Sequence, residues 1–117
     1  MLEITRVETN QRMSRVVQCN GFTFVGGQTA NDRSLDIKGQ TAQVLEKIDG
    51  YLAKVGLDKT RILSAQVWLS DIQANFAGMN EVWDAWAPEG QAPARATVES
   101  RLAAPELLVE ITVIAAG

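Results

Sequence analysis

Two charged side chains lie in segments of the sequence where a charge needs a partner. Arg95 is flanked by small residues in the run APARATV at 92–98, so its guanidinium is not crowded. The planar fork of N–H donors on an arginine suits a carboxylate ligand, although it can also pair with a nearby acid and tie strands together. Glu110 interrupts the apolar run LLVEITVI at 107–114. A carboxylate there must meet water, a partner charge or a site, so Glu110 is either a catalytic group or an acid on the polar face of an edge strand.

Three other features carry weaker signals. The segment GGQT at 26–29 could hold an anion on its backbone N–H groups, but it lacks the spacing and the Lys-Ser/Thr ending of a phosphate loop and is more typical of a turn. Asn80 is either a solvated side chain or a polar group that faces a strand. Trp83 and Trp86 could stack on a base or a ligand, but their helical spacing predicts core positions.

The composition limits the possible chemistry. The 117 residues contain no histidine, which excludes Ser-His-Asp, Cys-His and His-ligated metal mechanisms. Cys19 is the only cysteine, so the chain can form neither an internal disulfide nor a thiolate metal site, and an unpaired thiol favours a reducing compartment. Eleven Lys and Arg against fourteen Asp and Glu give a net charge of −3, which argues against a nucleic-acid partner. With neither a signal-peptide pattern nor an apolar run of about 20 residues, we expect a cytoplasmic protein without a membrane partner.

The pattern of apolar residues and turn signals predicts six strands and two helices. Asn20-Gly21 lies between two β-rich runs and is the signature of a hairpin whose turn residues both need φ above zero. Gly56 follows an amphipathic run and is expected to end the first helix, and Ser70-Asp71 offers a cap for the second. The predicted strands are 2–7, 15–19, 22–25, 61–69, 94–100 and 107–116, and the predicted helices are 39–55 and 72–86.

The order β-ββ-α-β-α-β-β predicts one α+β domain over residues 1–117, with two helices on one face of a mixed sheet. The strand 61–69 is apolar on both sides, with Leu63, Ala65, Val67 and Leu69 on one and Ile62 and Trp68 on the other. Since two helices cover only one face, we expect the second face of the sheet to pack against other subunits.

Four motifs, in order along nearly the whole chain, resemble those of one protein family. FTFVGGQ at 22–28 is similar to a strand ending in S-G-Q, and the helix with Phe76, Met79, Asn80 and Trp83 is similar to one carrying F-x-x-M-N-x-x-(W/Y). Pro93-Ala94-Arg95 matches a P-A-R signature, and residues 108–115 match a "v-E-I-x-x-I-A" ending. The sequence therefore resembles the Rid family (reactive intermediate deaminase, or YjgF-like), and WDAW at 83–86 is most similar to a shorter bacterial branch.

The resemblance implies a chorismate-mutase-like α+β subunit assembled as a homotrimer, with ligand clefts between subunits. Members of the family hydrolyse 2-imino acids, the unstable enamine/imine products of pyridoxal-phosphate enzymes, to 2-keto acids and ammonia, and they need no cofactor. Carried over to this sequence, Arg95 would bind the substrate carboxylate and Glu110 would hold and polarise the attacking water. The same resemblance implies that the substrate-binding positions are Gly26, Gly27, Asn80 and Thr97.

Two positions depart from the deaminase pattern. Gly26 stands where the family has a serine, and Met13, Ser14 and Arg15 occupy the segment where it has a tyrosine. Both changes remove a side chain that is expected beside the usual small substrate, 2-aminoacrylate. The carboxylate anchor at Arg95 is kept.

Three functions are compatible with the residues. The first is a 2-imino acid deaminase, and the second is a non-catalytic trimer that binds small carboxylates as a sensor or scavenger. The third is a ribonuclease or translation inhibitor, against which the net charge of −3 argues. We rank the deaminase first, because a carboxylate such as Glu110 beside the anion site does not help a protein that only binds anions.

Overall fold

A computed structural model describes residues 1–117, and all six strands belong to one sheet. The strands are β1 (Ile4–Thr9), β2 (Ser14–Cys19), β3 (Phe22–Gln28), β4 (Ile62–Leu69), β5 (Ala94–Glu99) and β6 (Val109–Ala116). The helices are α1 (Ile37–Lys54) and α2 (Ile72–Trp86), and a 3₁₀ turn at Lys59–Arg61 precedes β4. Neither α-helix combines the length and the apolar character needed to cross a bilayer.

The sheet is mixed, with the strand order β1-β2-β3-β6-β4-β5. Every neighbouring pair is antiparallel except β4 and β5, which are parallel and are connected through α2. β6, the last strand in the sequence, lies near the middle of the sheet, while β1 and β5 form its two edges. The predicted α+β class and element order are confirmed.

The turns form where the sequence predicts them. Asn20 and Gly21 have φ of 52° and 78°, so both turn residues adopt the left-handed conformation that Asn-Gly favours, and Cys19 pairs with Phe22 across the hairpin. Gly56, with φ of 76°, follows α1, and the N–H groups of Gly56 and Leu57 bond back to carbonyls of the last helical turn.

Both helices have an aspartate as the residue that caps their N-terminus. The Asp71 carboxylate accepts a hydrogen bond from the N–H of Ala74 at 3.1 Å, as predicted for α2. Asp36 does the same for the N–H of Gly39 at 2.9 Å, so α1 begins two residues before the expected start at residue 39. The prediction missed this cap because the apolar periodicity of α1 only becomes clear further along the helix.

The core lies between the two helices and one face of the sheet. Its largest contributors on the helices are Val44, Leu45, Ile48 and Leu52 of α1 and Met79 and Trp83 of α2. Alternate residues of the central strands complete it, and in β6 these are Val109, Ile111, Val113 and Ala115. Burying one such side chain contributes about 1.5–3 kcal/mol. The prediction of two helices on one face is therefore confirmed.

The predicted faces of β4 were partly wrong. Ile62 is 4% exposed and joins the core with Ala65, whereas Leu63 is 47% exposed. The register between β4 and β6 shifts between Ile62 and Ser64, and this irregularity moves the first residue of the strand to the other face. β1 also begins and ends two residues later than predicted, and β3 continues through Gly26-Gly27 to Gln28 instead of stopping there.

The second face of the sheet carries no helix, and we call it the open face. It presents Phe22, Phe24, Ser64, Gln66, Trp68, Ala94, Ala96, Val98, Glu110, Thr112 and Ile114. Phe22, Phe24 and Val98 are 44%, 43% and 44% exposed, which is a large exposure for apolar side chains that share one surface. A shallow pocket on this face lies where β4, β5 and β6 meet.

Candidate functional site

Arg95 lies on the edge strand β5 and points towards α2. Its guanidinium carbon is 5.0 Å from the centre of the Trp83 ring, and Nη1 is 3.8 Å from Sδ of Met79. A cation at this distance over an indole is attracted by the electrons of the ring face. The side chain is thus held from one side by two residues of α2, and its N–H donors find no oxygen acceptor in the chain.

The electrostatics of Arg95 are those of a cation without a counter-ion. The two ion pairs of the chain, Lys38–Glu81 and Lys54–Glu8, lie elsewhere, so no carboxylate is within 4.0 Å of the guanidinium. Partial burial lowers the pKa of Arg95, and the more distant charge of Asp84 opposes this shift. Within the chain, Arg95 therefore forms no ion pair that would tie strands together.

Thr97 and Asn80 lie on the same side of the molecule as Arg95. Thr97 is two residues along β5 and shares the face of Arg95, and its buried hydroxyl has no hydrogen-bond partner. Gly78 faces α1, because a Cβ there would be 2.7 Å from Cγ2 of Ile37. Asn80 is two residues further along α2, about 200° around the helix from Gly78, and so lies on the flank of α2 away from α1. Arg95, Thr97 and Asn80 together form what we call the arginine half-site.

Glu110 lies on the open face, beside Gly27. A Cβ built on Gly27 would be 2.2 Å from Oε2 of Glu110 and 3.2 Å from its Cδ, so the carboxylate can keep this position only beside a glycine. The carboxylate itself has no hydrogen-bond or ion-pair partner in the chain. The negative charge of Glu110 beside Gly27 disfavours an anion on the backbone N–H groups of this segment.

An irregularity in β3 brings Gly27 to this position. The pairing of β3 with β6 shifts between Val25 and Gln28, which places both glycines in a bulge. The Thr112 hydroxyl donates to the carbonyl of Val25, and Nε2 of Gln28 donates to the carbonyl of Gly26 at 3.0 Å. Side chains from both faces of the sheet therefore hold the bulge. We call Gly26, Gly27 and Glu110 the carboxylate half-site.

Gly26 has more free space than Gly27. A Cβ on Gly26 would meet the backbone oxygen of Ser14 at 3.4 Å and that of Arg15 at 3.6 Å, which are ordinary contact distances. The glycine found in place of the family's serine is therefore not required by close packing.

The two half-sites are on opposite faces of the sheet within one chain. Arg95 pairs with Ala65 of β4, and Glu110 pairs with Trp68 of the same strand. Ala65 and Trp68 are three residues apart, and successive side chains of a strand alternate between faces, so Arg95 and Glu110 must point to opposite sides. The two charged residues of the predicted site therefore belong to two separate groups within one chain.

The residues that support each charged group are not apparent from the sequence. Trp83 and Met79 are predicted as core residues, and both belong to the core. They also contact the guanidinium of Arg95. Trp68 is predicted only as an apolar strand residue, and it is the cross-strand neighbour of Glu110. No local signal could have revealed these contacts, because each one joins residues from different elements.

Comparisons with known proteins agree with the motifs. The sequence profile of a family described as "Endoribonuclease L-PSP" matches residues 3–117. A RutC family protein of Haemophilus ducreyi is 46% identical over 113 residues, which is 97% of this chain and 96% of that protein.

Solved structures with the same fold include NMB1025 of Neisseria meningitidis, a member of the YjgF protein family. It has a TM-score of 0.94 and 43% identity, covering 97% of this chain and 94% of that one. YyfA of Yersinia pestis, from the conserved Rid protein family, has a TM-score of 0.88 and 28% identity over 98% of this chain and 100% of its own. Its motifs, its fold and these relatives show that the chain belongs to the endoribonuclease L-PSP family and is similar to RutC, YjgF and Rid proteins.

Proposed function

We propose that the protein hydrolyses reactive 2-imino acids, and their enamine tautomers, to 2-keto acids and ammonia. The observation that carries this proposal is the unpaired guanidinium of Arg95, half-buried and held by Trp83. A partly desolvated arginine that forms no ion pair binds anions strongly, and the N–H donors of its planar fork match the two oxygens of a carboxylate. Every substrate of this class carries a carboxylate next to the reacting carbon.

We propose further that the working unit is a homotrimer, in which each cleft combines two subunits. Arg95 and Glu110 point to opposite faces of one sheet, so one chain alone cannot present both to the same small substrate. The open face supports an assembly because its exposed Phe22, Phe24 and Val98 would be buried by another copy. Arg95 of one subunit would then face Glu110 of the partner subunit across the interface.

The chemistry needs a base for water and an acid for the departing nitrogen. The Glu110 carboxylate takes a proton from a water molecule as the oxygen adds to the imine carbon, which gives a tetrahedral carbinolamine held at Arg95 through its carboxylate. Glu110 returns this proton to the nitrogen, then takes the proton of the carbinolamine hydroxyl and passes it to the nitrogen as well. The C–N bond breaks, and ammonia leaves as the C=O bond of the keto acid forms. General base catalysis of this kind contributes about 10²–10⁴-fold. No cofactor takes part in these steps, and the lone Cys19 leads us to place the reaction in the cytoplasm.

The second candidate is a trimer that binds small carboxylates without chemistry. It is favoured by Gly26, since the hydroxyl that the family's serine would supply is absent from the carboxylate half-site. Arg95 serves both functions equally well, so only Glu110 distinguishes them.

The experiment that tests the proposal is ammonia release from imines generated in situ by an amino-acid oxidase, across a panel of amino acids. Imines also hydrolyse without a catalyst, so rates are taken above that background. We expect wild type to accelerate at least one imine, and Glu110→Gln to lose about 10²–10⁴-fold of the rate while its keto-acid affinity is kept. Wild type that gives no rate above background on any imine, but binds keto acids, would establish the carboxylate-binding alternative.

The family description names an endoribonuclease, and RNA cleavage is therefore our third candidate. The absence of histidine and the net charge of −3 both disfavour it. Incubation with a labelled single-stranded RNA tests it directly, and we expect the RNA to stay intact.

A further inference from the structure

A second group of cations surrounds a pocket far along the sheet from Arg95. This pocket, which we call the basic pocket, has a volume of about 320 Å³ and lies between α1 and the β1–β2 end of the sheet. No aspartate or glutamate lines it, although the chain as a whole is acidic. Its lining residues are Arg15, Asn31, Lys47, Gly50, Tyr51 and Lys54.

The three cations of the basic pocket are unequally neutralised. Lys54 pairs with Glu8 and lies 5.3 Å from the centre of the Tyr51 ring. Arg15 is half-buried and has neither a hydrogen bond nor a carboxylate partner for its side chain. Arg15 and Arg95 are the only arginines of the chain that are not exposed, and both lack a counter-ion.

Lys47 lies beside Arg15 and adds a second uncompensated charge. Its ammonium donates to the carbonyl of Thr29 at 2.7 Å and to Oδ1 of Asn31 at 3.0 Å, which leaves one N–H free. Burial and the neighbouring charge of Arg15 both lower the pKa of Lys47. Two like charges held together without an acid repel each other, and a bound anion would remove that repulsion.

Gly50 supplies an independent observation. It lies inside α1, where glycine is less favourable than alanine. Nothing lies within 4 Å of the position that its Cβ would occupy, so no packing contact of the chain requires a glycine there. The residue instead leaves the wall of the basic pocket open.

We propose that the basic pocket is a binding site for a small phosphate-bearing anion, separate from the arginine half-site. Two uncompensated positive charges match a phosphate dianion better than a single carboxylate. The volume admits a phosphate group together with a small substituent, so the ligand is either free phosphate or the phosphate end of a small ester. This inference does not depend on the proposed deaminase activity.

The test is calorimetric titration of the full-length protein with inorganic phosphate at low ionic strength. We expect saturable binding with one site per chain. Arg15→Gln should weaken phosphate binding about tenfold or more, because a charge-assisted hydrogen bond is lost.

Glu8→Gln should strengthen phosphate binding, because Lys54 is then free of its carboxylate partner. Gly50→Leu should weaken it by filling the pocket while raising the melting temperature, since leucine is the better helix former.

Two matched variants show whether a loss of binding is specific to the basic pocket. Lys38→Gln removes the same charge as Arg15→Gln but on a lysine that pairs with Glu81, outside the pocket, and should leave phosphate affinity unchanged. Arg95→Lys should also leave phosphate affinity unchanged.

A parallel titration with ribose 5-phosphate decides between free phosphate and an ester as the natural ligand, because the true ligand binds more tightly. The proposal is overturned if phosphate does not bind saturably, if Arg15→Gln binds like wild type, or if either control weakens binding as much as Arg15→Gln.

Discussion

Replacing Gly27 by alanine is the sharpest test of the carboxylate half-site. The new Cβ would be 2.2 Å from Oε2 of Glu110, so the carboxylate must retreat by about 1 Å to reach an ordinary contact distance. Glu110 has no partner that holds it in place, and its end is a flexible side chain rather than backbone. The displacement should therefore change the free energy of unfolding by less than about 1 kcal/mol.

The effect on the reaction should be much larger than the effect on stability. A catalytic group misplaced by about 1 Å can cost about 10²-fold in rate. We therefore expect Gly27→Ala to lose about that factor in imine hydrolysis above background, measured as ammonia release. Keto-acid affinity, measured by calorimetry, should be kept, because Arg95 lies on the other face of the sheet and in the assembled cleft would come from the neighbouring subunit.

Gly26→Ala is the matched control for this substitution. Its Cβ would meet only the backbone oxygens of Ser14 and Arg15, at 3.4 and 3.6 Å, so the bulge should accept it without moving Glu110. Wild-type activity in Gly27→Ala would refute the reasoning, since the position of Glu110 would then not matter. Equal losses in both variants would refute it as well, because the bulge and not the carboxylate would be responsible.

Three further outcomes follow from the same contacts. Arg95→Lys keeps the charge but loses the bidentate fork, so keto-acid affinity measured by calorimetry should fall about 10- to 150-fold while the melting temperature changes little. Gly56→Ala forces alanine into a φ of 76° and should lower stability in denaturant by about 1 kcal/mol, whereas Gly50→Ala in the helix interior should raise it by about 0.5–1 kcal/mol. Light scattering at micromolar concentration should give the mass of a trimer, and a monomer would remove both the assembly and the shared cleft.

Much of the fold is determined locally. Asn20-Gly21 forms the hairpin because both residues tolerate a positive φ, and Gly56 ends α1 for the same reason. The spacing of Val44, Ile48 and Leu52 directs one stripe of α1 to the core, so the helix and its buried face can be predicted from periodicity. These features depend on neighbours within one element, and the order of residues along the chain gives those neighbours directly.

The sequence also identified the two charged residues and the family. Arg95 and Glu110 are conspicuous because charged side chains rarely stand among small or apolar residues in strands without a partner or a function. The accompanying motifs extend over nearly the whole chain, and the family assignment agrees with the similarity to its relatives. Residue type and spacing carried this information without any knowledge of contacts.

Only the tertiary structure decided how these residues are arranged. Because side chains alternate along a strand, the face of Arg95 depends on its register with β4, and a shift by one residue would reverse it. The bulge at Gly26-Gly27 likewise depends on the pairing of β3 with β6, strands separated by most of the chain. Register is set by the packing of the whole sheet, and no local pattern encodes it. The separation of Arg95 and Glu110 onto two faces could therefore be seen only once the sheet had formed.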